Sequence, residues 1–168
     1  MSKSLMDMLG DIDRRIIFAM LFVGLVIPLV VNIPLPLPIT TFVRQYHDFL
    51  ENVPTGAVVG VDVELTGATD PQLGSDLMLV FMQLFRRDAK LVVWSMVAES
   101  PHFATAAIKT ALSNLGERGT AKKYGVDWAE LGYIAGTETG LSSLMTSIKN
   151  TVAKDAFGNP LANLPVLK

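Results

Sequence analysis

The chain of 168 residues has no cysteine, which excludes disulfides, thiolate metal sites, iron–sulfur clusters and a cysteine nucleophile together. The same absence leaves the redox compartment open, because a thiol-free chain suits either side of a membrane. Histidine is nearly missing too: His47 and His102 lie far apart, with no HExxH or EF-hand pattern, so neither a metal site nor a cofactor is expected. Charge is scarce, 18% of residues against about 25% in soluble domains. With 14 Lys plus Arg against 16 Asp plus Glu, a formal net charge of −2 and no basic run, nothing is clustered to neutralise phosphates, and nucleic acid is not an expected partner. Apolar residues, by contrast, make up 50% of the chain and the mean hydropathy is +0.40. Disorder is thereby excluded, and part of the surface is expected in lipid or in a large interface.

The apolar excess is concentrated at the start. From Ile16 to Val31 the sequence reads IIFAMLFVGLVIPLVV, sixteen residues without a charge. As a helix they cover roughly 24 Å, short of the ~30 Å hydrocarbon core of a bilayer. The IPLPLPI stretch that follows can supply the remainder, although Pro34, Pro36 and Pro38 lack amide donors and favour an extended path. Residues 16–39 therefore read as a single transmembrane anchor with a proline-rich exit. Its lipid-facing candidates are Ile16, Phe18, Leu21, Phe22, Leu25, Val26, Pro28 and Val31, with Pro28 kinking its outer end. A cleaved signal peptide is the rival; the acidic leader with Asp7, Asp11 and Asp13 and the lack of a small-x-small cleavage site count against it. A buried helix of a soluble protein is the other alternative. Arg14 and Arg15 precede the run, with Lys3 further back, and only Arg44 follows closely, so the positive-inside rule puts residues 1–15 in the cytoplasm and the rest in the periplasm or outside the cell. Met1 to Gly10 reads as a short amphipathic start or a frayed terminus.

Residues 40–56 form a linker helix in this reading, with Phe42, Val43, Tyr46, Phe49 and Leu50 in a helical stripe and His47 solvated. Residues 57–168 then alternate. Ala57 to Leu65 is a strand that puts Val59, Val61 and Val63 on one face and Val58, Gly60, Asp62 and Glu64 on the other. Ser75 is expected to cap a helix that is apolar nearly all round from Leu77 to Leu84. Leu77, Leu79, Val80, Phe81 and Leu84, with Trp94, are accordingly candidate interface residues. A second membrane span is rejected because it would bury Arg86, Arg87, Asp88 and Lys90, each at about 2.5–3.5 kcal/mol. Lys90 to Ala98 is a strand covered on both faces, Ser100 with Pro101 opens a helix to Arg118, and Asp127 to Gly136 is the third strand. A last helix, capped by Thr137 or Thr139, carries the stripe Leu141, Leu144, Met145, Ile148 and Val152 to about Lys154. The tail then has turn chemistry at Gly158, Asn159 and Pro160. The expected architecture is α/β: a transmembrane helix, then a small three-layer domain with a mainly parallel sheet in the order β-α-β-α-β-α. Three strands make a thin sheet, so one edge is expected to be completed by another chain.

Ligands of parallel sheets bind beyond the carboxyl ends of the strands, which singles out Asp70, Glu99, His102, Thr137 and Glu138 as candidate ligand-binding residues. N-capping accounts for the same residues. There is no GxSxG elbow, P-loop or GxGxxG fingerprint, and Glu99, Ser100 and His102 are too close in sequence for a triad, so no catalytic residue is assigned. Asp62 and Glu64 share a strand face and read as an edge or a salt bridge to a partner before a proton or metal pair. Trp94 and Trp128 read as core or interface aromatics, and the methionines as adaptable packing.

Two stretches, YGVDWAELGYIAG (Tyr124 to Gly136) and DAFGNPLANLP (Asp155 to Pro165), together with the amino-terminal DRRIIF and its apolar run, resemble an uncharacterised family of bacterial and archaeal membrane-anchored proteins. The resemblance implies an anchored α/β domain and no particular activity. It also implies longer members that continue with α/β sequence to another membrane helix, hence a chain short at its carboxyl end whose missing strands come from elsewhere. The expectation is a non-catalytic single-pass subunit of a larger membrane complex, of photosynthetic, respiratory, secretion or filament type, with the lipid bilayer and other subunits as partners. The alternatives are a membrane-tethered enzyme or small-ligand domain using the strand ends, and a sensor or binding component of a transporter.

Overall fold

The computed structural model describes residues 13–31 and 39–168, so the expectations for Met1 to Gly10 and for Pro34, Pro36 and Pro38 lie outside the described residues. The chain divides into two units at Thr40. The first contains α1, Arg14–Val30, which Asp13 caps by accepting a hydrogen bond from the Arg15 amide at 2.9 Å. Pro28 lies in its last turn and has no amide hydrogen to give to the Gly24 carbonyl. Its apolar side chains are exposed around the helix, Ile17, Phe18, Met20, Leu21, Phe22 and Leu25 among them. At 17 residues α1 is about 26 Å long, and no helix among the described residues is long and apolar enough to cross a membrane.

The second unit is an α/β domain. Helix α2 (Thr41–Glu51) leads into β1 (Val58–Asp62), α3 (Asp70–Arg86), β2 (Lys90–Ser95), α4 (Ser100–Asn114), a short α5 (Glu117–Ala121), β3 (Trp128–Tyr133), α6 (Thr137–Thr146) and α7 (Ile148–Thr151). Two 3₁₀ turns, Leu161–Asn163 and Pro165–Leu167, close the described chain. The sheet is parallel throughout, in the order β1-β2-β3. Strands added in one direction through right-handed crossovers place their connecting helices on one face. Both α3 and α4 accordingly pack on one face, where Phe81, Leu84, Phe85, Ile108 and Ala111 meet Leu91 and Val93. Val59 and Val61 of β1 join them with Val63 just beyond it, as the alternation predicts.

The opposite face carries a smaller core. Val92, Trp94, Ala129, Leu131 and Ile134 are covered by Leu144 of α6 and by Leu161, Leu164 and Val166 of the tail. Each of those buried aliphatic side chains contributes about 1.5–3 kcal/mol, which is enough to hold a segment with little regular structure of its own.

Several boundaries differ from the sequence reading. Helix α3 begins at Asp70, five residues before the expected Ser75 cap. Pro71 is pre-set for a first turn, and the Thr69 hydroxyl accepts from the Thr66 amide at 2.9 Å to form the bend. The helix expected from Ser100 to Arg118 is two, α4 and α5, because Gly116 at φ +59 turns the chain between them. The last helix breaks at Ser147, whose backbone is extended, and Met145 of its expected packing stripe is 74% exposed. Phe81 and Leu84 are fully buried and Trp94 is 8% exposed, so these three candidate interface residues serve this chain's own cores. Leu77 and Val80 are half-buried and Leu79 is exposed.

Candidate functional site

The strand ends gather little chemistry. Asp70 lines an open cleft of about 370 Å³ between the first halves of α3 and α4, with Pro71, Met78, Phe103 and Thr110. Neither Glu99 nor His102 nor Glu138 joins it there. Glu99 precedes α4 without a side-chain capping bond, and His102 is exposed with its ring 3.8 Å from that of Phe103. Glu138 is exposed in the first turn of α6; the side chain of Thr137 lies outside the description. The expected threonine caps give way to Gly136 at φ +107, and the Thr139 hydroxyl donates back to the Gly136 carbonyl at 2.7 Å. Among the described residues no group of three or more His, Cys, Asp and Glu could hold a metal ion.

Two buried acids that sequence reasoning did not single out, Glu130 and Asp155, lie on β3 and in the tail beside it. Glu130 is 5% exposed beneath α4, and its Oε2 lies 2.5 Å from the Thr105 hydroxyl. That hydroxyl is also 3.0 Å from the Pro101 carbonyl, and its one proton serves only one of the two acceptors. With an ionised Glu130 the threonine donates to the carboxylate; a protonated Glu130 would instead donate to Thr105 and free its proton for Pro101. Burial pushes Glu130 above the usual carboxylate range, toward the protonated form. The cavity beside it, with Val93, Trp94, Pro101, Ala104 and Gly132, is about 10 Å³, room for a single water and no substrate.

On the outer edge of β3, Asp155 collects four donors. The amides of Phe157 and Asn159 reach Oδ1 at 2.9 and 2.7 Å, while the Tyr124 hydroxyl and the Asn159 side-chain amide reach Oδ2 at 2.7 and 2.9 Å. Desolvation raises the Asp155 carboxyl, but these donors outweigh it and hold it below its ordinary value. Burial and the donation to Asp155 push the Tyr124 phenol up. The Ala156 amide donates to the Glu130 carbonyl at 2.8 Å, so this network pins the tail along β3 as a lid on that edge.

The edge of β1 is different. Hydrogen bonds from Lys90 N to Ala57 O at 2.8 Å and from Val63 N to Trp94 O at 2.9 Å fix the register. The backbone groups of Val58, Gly60 and Asp62 therefore point away from β2, and no strand among the described residues pairs with them. On the second face, Val58 and Gly60 open onto an apolar groove of about 280 Å³ lined also by Val92, Trp94, Leu144 and Met145. Val58 is 55% exposed. The floor of the groove is Trp94, 8% exposed. At the end of β1, partial desolvation and then the Glu64 carboxylate push Asp62 above its usual range.

An open strand edge beside an apolar groove can accept a further strand with a side chain in the groove. No protein-family model, curated protein or solved structure matches the chain.

Proposed function

We propose that this chain is a non-catalytic, single-pass membrane subunit whose α/β domain assembles with other protein subunits through the β1 edge and the groove beside it. One observation carries the reading: among the described residues, Val58, Gly60 and Asp62 present unpaired strand backbone next to an apolar groove, on a sheet of three strands. Solvent-facing strand edges are ordinarily blunted by lysine, proline, bulges or a covering segment, and β1, VVGVD, has only Asp62. The anchor part of the reading is supported by α1, whose apolar side chains are exposed on all sides, a condition suited to lipid. Residues 31–39 would supply the length that α1 lacks, and Arg14 and Arg15 would keep its start in the cytoplasm.

The test is native mass spectrometry of the 168-residue chain extracted from its membrane in mild detergent, beside the Val58→Lys variant. A reproducible assembly of fixed stoichiometry that Val58→Lys dissolves is the expected result. Val58 is exposed, so the variant changes the stability of the lone domain by no more than about 0.5 kcal/mol. A wild-type chain found alone at 18.2 kDa overturns the subunit reading and returns attention to the Asp70 cleft.

A further inference from the structure

Helix α2 is the most sharply two-sided element of the domain. Viewed down its axis, Phe42, Tyr46, Phe49 and Leu50 fall on one side and Arg44, His47, Asp48 and Glu51 on the other, with Val43 and Gln45 at the two borders. Its carboxyl end is seated: Leu50 is 5% exposed and Val53, just beyond, 7% exposed, and the Gln83 side chain of α3 ties down Glu51 at 2.9 Å. Phe42 and Phe49 remain 75% and 67% exposed, with Tyr46 half-exposed beside them. Three aromatic rings on one exposed face, rimmed by polar residues, form an interaction surface.

We propose that this face is buried in the headgroup–acyl boundary of the lipid bilayer, so that α2 is an interfacial helix giving the domain a second hold on the membrane. The inference rests on the anchor reading of residues 16–39. The chain itself argues for lipid as the occupant. Only nine residues lie between Val31 and Thr41, ten steps that reach at most about 36 Å, so the chain limits how far α2 can start from where the apolar run leaves the bilayer. The residue types agree: aromatic side chains with a tyrosine among them populate the membrane–water boundary. The polar side carries Arg44 against Asp48 and Glu51, so the hold is apolar, and anionic lipid adds nothing to it.

Because the chain has no cysteine, a single introduced thiol labels one position alone. Spin labels are placed on Phe42→Cys, Phe49→Cys, Asp48→Cys and, within the anchor, Phe22→Cys, each in the 168-residue chain reconstituted into phosphatidylcholine vesicles. Tryptophan fluorescence from Trp94 and Trp128 verifies that each variant is folded. Labels at 42 and 49 are expected to be at least about threefold less accessible to a water-soluble relaxant than the label at 48, and to respond to oxygen dissolved in lipid. Labels at 42 and 49 that are open to water while the label at 22 lies in lipid overturn the interfacial helix and leave the anchor standing. Labels at 42 and 49 shielded from water and lipid alike overturn it in favour of a protein partner. A label at 22 in water, with 42 and 49 in lipid, supports the helix and overturns the anchor.

Discussion

The two edges of the sheet are built from the same kind of strand and finished in opposite ways. On the β3 side the chain returns, lays its tail along the strand, bonds Ala156 to Glu130 and fastens the turn with four donors on Asp155. On the β1 side nothing among the described residues returns, and the backbone of Val58, Gly60 and Asp62 faces outward beside a groove. A free edge templates association, so in the proposed assembly the chain closes one edge with about fourteen residues of tail for stability and keeps the other for binding. The closed edge should respond to mutation in folding, and the open edge in assembly.

The sharpest way to break that division is Asp155→Ala. It removes one acceptor shared by Tyr124, Phe157 and both nitrogens of Asn159, and hydrogen bonds to a charged group are worth about 1.5–3 kcal/mol each. Because the freed amides regain water, a loss of about 3 kcal/mol is expected, or roughly 10 °C in Tm. The sign with pH follows from the depressed carboxyl. The contribution is complete above the unfolded value of about 3.9 and is lost as pH falls through the lower folded value, so wild type and variant converge in acid. Thermal melts from pH 7 down to pH 3 check both points; a constant difference over that range refutes the carboxylate's role.

A smaller loss of stability is expected where the open edge meets the core, because the groove floor is the buried Trp94. A Cβ on Gly60 would stand 2.7 Å from the six-membered ring of Trp94, so Gly60→Val must push the indole out of the groove floor. Overpacking of this kind costs about 2 kcal/mol. Denaturant unfolding measures that loss, and a changed Trp94 emission locates it; unaltered emission with unaltered stability would mean that the groove floor is already loose.

The contrast between edges was half legible in the sequence. The alternation of Val58 to Val63 reads directly as a one-sided strand, and the β-α-β order as a parallel sheet, because both rest on periods that local residues impose. The thin sheet likewise announces an unfinished edge. The tail that closes β3 does not announce itself: Leu161, Leu164 and Val166 have no helical or strand period, and they are buried only because the second face of β2 and β3 is there to receive them. Glu130 and Asp155 escape for the same reason. An acid in an apolar strand and an acid before a turn look ordinary until Thr105, 25 residues away, and Tyr124, 31 residues away, are brought to them. The candidates that sequence did offer at the strand ends, Asp70, Glu99, His102 and Glu138, were chosen from a fold-level rule about where ligands bind. Such a rule gives a location and says nothing about whether side chains converge there.

The least disruptive test addresses the joint between core and lid. Glu130→Gln keeps the shape of the side chain and mimics the protonated acid, since its amide can donate to Thr105 while Thr105 donates to Pro101. For a carboxyl raised by burial the sign is the reverse of that at Asp155. The folded state holds its proton more tightly, so stability falls as pH rises from the unfolded value of about 4.3 through the folded one. The glutamine variant escapes this decline. It is therefore expected to match wild type at pH 4 and to exceed it by about 1 kcal/mol near pH 8, the scale of one net hydrogen bond. Melting curves at the two pH values decide it. If Glu130→Gln loses stability at both, the acid is ionised beneath α4 and Thr105 is donating to it. The competition for the threonine proton would then be settled against Pro101, and the closed edge would hold a second charge beside Asp155.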